Sequence, residues 1–421
     1  MGRLVAVLLP TLWDEKQLAT CRGAWGAHYD VRLLGPADAD VHARFDVRAF
    51  VREIAEQHPT LVGATSSSDY PGAVAAALLA ERLARPGAAP RAVLACGHKG
   101  EARALEARVV PEAVPWWRLL EAGAQRTLPD GLRYPCFVKP ARGSFSVLAR
   151  QVDAEAALVA YLTHPETLAH TDEYVGIHRR LARDLGHGGP DAGCFVAEGL
   201  LTGLQATLEG WLDQDGVHVL GIVDSVMHPG TRAFARFETP SALPPRVQAR
   251  MADIARRVVP ALGLAQTCFN VELAWDAATD VIGLIEVNPR LAGQFGDLWQ
   301  KTLGRNGYEI ALALAAGDAP PRPSTGPFAF AASVPLRTFA PTQVERAPSS
   351  EQIAAVEAAS PGTHVWWECA PGDVLSHFDA AGEGQGWRYA VVNLGARTRA
   401  ELETKARAVV EDLGARLTAL G

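Results

Sequence analysis

Residues 267–292, TCFNVELAWDAATDVIGLIEVNPRLA, decide how the rest of the chain is read. Two apolar runs flank a short polar stretch, the pattern of an antiparallel hairpin. If the turn centres near Ala278–Thr279, Glu272 and Glu286 come almost opposite each other. Asn288 lies two residues after Glu286, so both side chains leave the same face of a strand. Facing carboxylates repel and raise each other's pKa unless a cation intervenes. Hard oxygen donors of this kind suit Mg²⁺, which takes a few carboxylates together with nucleotide phosphates. The other reading is two solvated acids on an exposed hairpin. Phe269, Val271, Leu273, Leu284, Ile285 and Val287 are all apolar, which favours the metal. Pro289 ends the strand and sets Arg290 beside these ligands, where a guanidinium can hold a phosphoryl group.

Moving toward the N-terminus, FVKPARGSFS places Lys139 in mid-strand beside Pro140. A buried lysine needs an anionic partner. The small polar loop after it can turn backbone N–H groups toward phosphate oxygens. A surface lysine on an edge strand is the alternative. The chain has only five lysines (Lys16, Lys99, Lys139, Lys301 and Lys405), so one kept inside a strand is informative.

VKP with its small-residue loop, then AEGLLTGLQ, then VEL and IEVNPR, in this order, resemble the ATP-grasp superfamily. With an alternating β/α region in front, they resemble its carboxylate–amine ligases. These include D-alanine–D-alanine ligase, dipeptide-forming L-amino-acid ligases and carnosine-synthase-like enzymes. SSSDYPGAVAAALLAERLA, GHKGEAR and VVPEAVP extend the likeness upstream, over most of residues 60–320. The resemblance implies ATP and Mg²⁺ as cofactors, with Mn²⁺ as the substitute. It makes Lys99 and Lys139 the phosphate-binding lysines, and Gly143, Ser144, Phe145 and Ser146 the loop over the triphosphate. Glu198, Gly199, Leu200 and Leu201 become the adenine hinge, and Gln205 the ribose contact. Glu272, Glu286 and Asn288 become the metal ligands, and Arg290 the acyl-phosphate residue. Phe145 stands where a glycine is common, Gly199 where a larger residue is frequent, and Gln205 where many relatives have an acid.

The implied activity is amide or peptide bond formation through an acyl phosphate, on carboxylate and amine substrates of amino-acid type. Two other activities are weighed beside it: phosphorylation of a small carboxylate such as bicarbonate or formate, and nucleotide binding without turnover. Residues 224–244, DSVMHPGTRAFARFETPSALP, read as a long connection between strand and helix. Long structured loops are often functional, so His228, Arg232, Arg236 and Glu238 are substrate-binding candidates, against the alternative of a plain cover loop.

The expected fold is α/β and α+β multidomain. An open parallel β/α domain spans 1–96 and a connector 97–131. The small ATP-grasp lobe spans 132–195, the large lobe with the metal site 196–320, and a mixed α+β domain 328–421. In the small lobe, Asp153 is expected to cap a helix and HRRLARDLGHGGPDAG to be a mobile polar stretch, and in the last domain 399–419 is expected to be a closing helix. Trp116, Trp117, Trp366 and Trp367 read as core or domain contacts.

Composition sets the remaining limits. The 421 residues are 48% hydrophobic and 21% charged, as in a globular protein. The net charge of -7 disfavours nucleic acid as the main partner. No apolar run is long enough for a bilayer, and the start lacks the cleavage site of a signal peptide. The six cysteines show no CxxC spacing, as expected of reduced thiols in the cytoplasm. GxGxxG and GxxxxGK[ST] are both missing, which disfavours a dehydrogenase and a P-loop kinase. A homodimer is the expectation drawn from the family.

Overall fold

The computed structural model describes residues 2–123, 128–143, 147–376 and 386–420, apart from the side chains of residues 170–173. It is a mixed α/β protein with several sheets. The chain forms two compact units that interleave along the sequence. One comprises Met1–Leu220, Pro244–Gly293 and Tyr308–Pro321, and the other Gly221–Leu243, Gln294–Gly307 and Arg322–Gly421.

The first unit opens with the run RLVAVL. Its Val5, Ala6, Val7 and Leu8 are fully buried, as expected of a strand covered on both faces. Strand Arg3–Leu8 is central in a three-stranded sheet, parallel to Tyr29–Leu34 on one side and Gly63–Thr65 on the other. Helix Gly307–Ala316 joins this core through Ile310, Leu312 and Leu314. A second sheet has the strand order Trp117–Leu120, Phe195–Gly199, Cys136–Pro140, Arg150–Val152, all antiparallel. A third group pairs Leu204–Asp213 with Thr267–Asp276, and the latter with Val281–Asn288. Gly216 takes a φ of +116° at the turn after Leu204–Asp213, a conformation glycine adopts without strain.

In the second unit, Phe330–Thr338 is flanked by Phe234–Thr239 and Trp387–Ala396, and the latter also pairs with His364–Trp367. Helices Ser350–Ala359 and Arg399–Leu413 contribute Val356, Leu402, Val409 and Leu413 to its core. Trp366 is buried. No helix among the described residues is long and apolar enough to cross a membrane.

Four expectations need correction. Asp153 does not cap helix Glu155–Leu162. The cap residue is Ala154, and the Asp153 carboxylate accepts from the Gln151 amide instead. The stretch expected to be mobile begins with helix Gly176–Asp184, which buries Ile177, His178 and Leu181 on one face. That stripe is hard to see because arginines fill the positions between. Residues 224–244 are not a long loop. Strand Gly216–Met227 runs on to Met227 and pairs with Phe234–Thr239, leaving only a short turn at 228–233. Finally, helix Arg399–Leu413 stops where Gly414 takes a φ of +56°. Residues Arg416–Ala419 then form a strand against Thr342–Arg346.

Candidate active site

The site lies within the first unit, and the hairpin is its floor. Glu272 pairs in register with Glu286, and Asn270 with Asn288. On its other edge, the same strand pairs Glu272 with Thr207 and Asn270 with Glu209. A chain of polar contacts follows from this register. Asn288 Nδ2 donates to Asn270 Oδ1 at 3.3 Å, and Asn270 Nδ2 donates to Glu209 Oε1 at 3.3 Å. Asn288 Nδ2 also lies 3.4 Å from Glu286 Oε1. The amide nitrogen is thereby used, which leaves the carbonyl oxygen as the Asn288 atom that could hold a cation. Gln205, on Leu204–Asp213, donates to Glu272 Oε2 at 3.2 Å.

The facing acids have different proton affinities. Desolvation and the Glu286 charge push Glu272 up to about 8, against the pull of Arg290, Lys99 and Lys139. Burial also pushes Glu286 up, but Lys99 and Lys139 outweigh it and hold that carboxyl below its usual range. Lys99 Nζ stands 3.1 Å from Glu286 Oε2 and donates to Gly143 O at 2.8 Å. Its backbone is set by helix Lys99–Val109, whose cap is His98. The fully buried His98 ring accepts from the Glu101 N–H.

Lys139 is 5% exposed, so its charge needs a partner in the interior. That partner is Glu198, whose Oε1 lies 2.7 Å from Lys139 Nζ. Glu198 pairs with Phe137 across the strands, two residues from Lys139, so both acid and base leave one face. Arg103 completes the network. Its Nε donates to Glu198 Oε2 at 2.9 Å, its Nη1 to Glu106 at 2.5 Å and its Nη2 to the Ile285 carbonyl at 2.9 Å. Burial lowers the Lys139 pKa, partly offset by Glu198. Glu198 stays below its usual range because Arg103 and Lys139 outweigh burial.

A cleft is lined by Asp69, Lys99, Arg103, Arg142, Glu286 and Asn288, among others. Arg290 Nε lies 3.7 Å from Asp69 Oδ1. The Gly199 N–H donates to the Trp116 carbonyl. A Cβ on Gly199 would lie 3.0 Å from Trp116 Nε1, a close contact. Leu200 and Leu201 follow, half-buried, and Leu201 fills the space over Gly283.

The structure therefore brings together Lys99, Lys139, Glu198, Glu272, Glu286, Asn288 and Gln205, and places Arg290 next to Asp69. Gly143 is present through its carbonyl. Ser144, Phe145 and Ser146 lie outside the described residues. The four substrate-binding candidates belong to the second unit. There Glu238 is buried and hydrogen-bonded by Arg236 and Arg399, His228 packs edge-on against Phe339 at 5.0 Å, and Arg232 is in the exposed turn. Sequence reasoning missed Asp69, Arg103, Glu106, Glu209 and Asn270. Arg103 had one signal, its place four residues after Lys99 on a helix.

Among the described residues, no three His, Cys, Asp or Glu side chains gather as a metal nest. Two facing carboxylates and an amide oxygen still suit Mg²⁺, which completes its shell with phosphate oxygens and water. The donor set fits that ion.

The site thus combines a lysine-bearing antiparallel sheet with a hairpin that carries paired acids. Residues 132–297 match the family model described as "ATP-grasp domain". No curated protein matches the sequence. Among solved structures it is similar to L-amino acid ligase from Bacillus licheniformis, with a TM-score of 0.72 and 15% identity over 100% of this chain and 99% of that one. It is also similar to phosphoribosylglycinamide synthetase from Anaerococcus prevotii, with a TM-score of 0.66 and 12% identity over 100% of both chains. A third is biotin carboxylase from Campylobacter jejuni, with a TM-score of 0.64 and 13% identity over 100% of this chain and 92% of that one.

Proposed function

We propose that the chain is an ATP-dependent ligase that activates a carboxylate as an acyl phosphate and joins it to an amine, with amino acids as the substrate class. The observation that carries this reading is the in-register pair Glu272 and Glu286, with Lys99 3.1 Å from Glu286. A carboxylate does not react with an amine in neutral water because its leaving group is poor. Attack of a carboxylate oxygen on the γ-phosphorus breaks the bond to ADP and creates a good one. The amine then attacks the acyl carbon, the C–O bond to phosphate breaks, and the amine loses a proton.

Phosphoryl transfer rests on positioning and charge stabilisation more than on covalent help from protein. Lys99 and Lys139 hold the phosphate oxygens. Glu198, Arg103 and Glu106 hold Lys139 in place. Arg290 steadies the acyl phosphate, and Asn270 orients Asn288. Mg²⁺, when bound by Glu272, Glu286 and Asn288, would withdraw charge from the phosphates. Residues 143–146 serve as the phosphate loop and 198–201 as the adenine hinge.

Release of ADP and phosphate, assayed across pairs of candidate carboxylates and amines, tests the proposal. Release that needs both an amino acid and an amine supports it. Release with bicarbonate and no amine assigns the carboxylate-phosphorylating activity instead. Tight ATP binding with no release for any pair assigns a nucleotide-binding protein without turnover.

A further inference from the structure

Arg142 follows strand Cys136–Pro140, at the root of the loop assigned to phosphate. The residue is 3% exposed. Its Nη1 donates to the Gly97 carbonyl at 3.2 Å, and its guanidinium lies 4.0 Å over the Tyr70 ring. The other edge, formed by Nε and Nη2, is buried and makes no hydrogen bond among the described residues. Asp69 Oδ2 is 3.6 Å from Nη2, which gives charge attraction but exceeds hydrogen-bond length. Arg142 lines the same cleft as Lys99, Glu286 and Asn288.

The Nε–H and Nη2–H of an arginine point in parallel and match two oxygens of a carboxylate or phosphate. A buried guanidinium with that edge unsatisfied carries a desolvation cost that an oxyanion in the cleft would relieve. Asp69 neutralises the charge from a distance and also stands 3.7 Å from Arg290 Nε, so it keeps two guanidinium groups near one place.

We propose that Arg142 is a substrate-binding residue whose Nε and Nη2 edge takes an oxyanion, either the phosphoryl group in transfer or the carboxylate that receives it. This rests on the ligase reading of the cleft. Calorimetric titration of wild type, Arg142→Gln and Arg142→Lys tests it with three probes. These are MgADP alone, inorganic phosphate after saturation with MgADP, and acetate after saturation with a non-hydrolysable magnesium–ATP analogue. Lysine keeps the charge and lacks the fork, so it serves where the glutamine variant fails to fold. Both variants should bind MgADP within about twofold of wild type and lose about 30-fold in affinity for phosphate or for acetate. Loss in the phosphate arm assigns the phosphoryl group, and loss in the acetate arm assigns the carboxylate. Unchanged affinity in both arms, or an equal loss for MgADP, would overturn the proposal. A wild type that binds no MgADP would instead overturn the ligase reading.

Discussion

In the proposed ligase, the Glu272–Glu286 pair concentrates the chemistry in two side chains. Each needs the other close by to bind a cation, and each suffers from that closeness without one. On that reading, Glu286→Gln removes a metal ligand and also relieves the repulsion. Turnover should fall by at least about 100-fold, since even groups outside a metal's direct ligands commonly cost 10–100-fold. The thermal midpoint should change little. Near-normal activity in that variant would rule out the metal role. The raised Glu272 pKa of about 8 gives a second test. Near pH 7 this carboxyl is mostly protonated, and a cation between the acids draws its pKa down. Binding of MgATP should then release close to one proton near pH 7, falling toward zero as pH rises well above 8. Calorimetry in buffers of different ionisation enthalpy measures it, and zero release near pH 7 would contradict the pairing. The paired acids were legible in the sequence because a hairpin turn fixes register over a few residues. Asp69 was not, because it joins the site from a loop about 200 residues away from Arg290, and no periodicity reports such a contact.

Elements are held in place by buried groups with little room to give. Arg103 joins helix Lys99–Val109 to Glu198 on the lysine sheet and to the Ile285 carbonyl of the hairpin. Arg103→Ala leaves Glu198 and Glu106 short of their cation. It should cost about 3–5 kcal/mol, as expected when one partner of a buried ion pair is removed. Denaturant unfolding measures this, and a loss under about 1 kcal/mol would show that the network is not held as described. The strand–helix seam gives a simpler case. A Cβ on Gly63 would come within 1.7 Å of the Ala315 carbonyl oxygen, so Gly63→Ala must shift the backbone of helix Gly307–Ala316. Destabilisation of about 1–3 kcal/mol is expected, and a neutral effect would contradict the close approach. Most strands and helices were legible because their apolar patterns are strong. Helix Gly176–Asp184 was hidden because arginines surround its buried face. Strand Phe234–Thr239 was hidden because charged Arg236 and Glu238 satisfy each other instead of facing water.

Across the whole molecule, buried ionisable groups tie stability to pH. His178 is 2% exposed and its pKa is pushed down to about 3, first by burial and then by the Arg142 and His98 charges. The unfolded chain takes up this proton near the ordinary histidine value, while the folded chain stays neutral. The stabilisation is therefore complete above about pH 6.5 and is lost progressively as pH falls toward 3. His178→Gln should flatten the acid limb of a stability–pH curve by up to one proton, about 1.4 kcal/mol per pH unit. Parallel curves for the two proteins would contradict this. The interleaving of the two units was not legible, since a strand that runs from one into the other leaves no break in composition. The central claim is that a substrate carboxylate is phosphorylated before an amine attacks it. The most direct test supplies a reactive amino acid with ¹⁸O in its carboxylate and examines the released phosphate by ³¹P NMR. The account predicts one labelled oxygen carried into each phosphate as product forms. Unlabelled phosphate alongside product would contradict it.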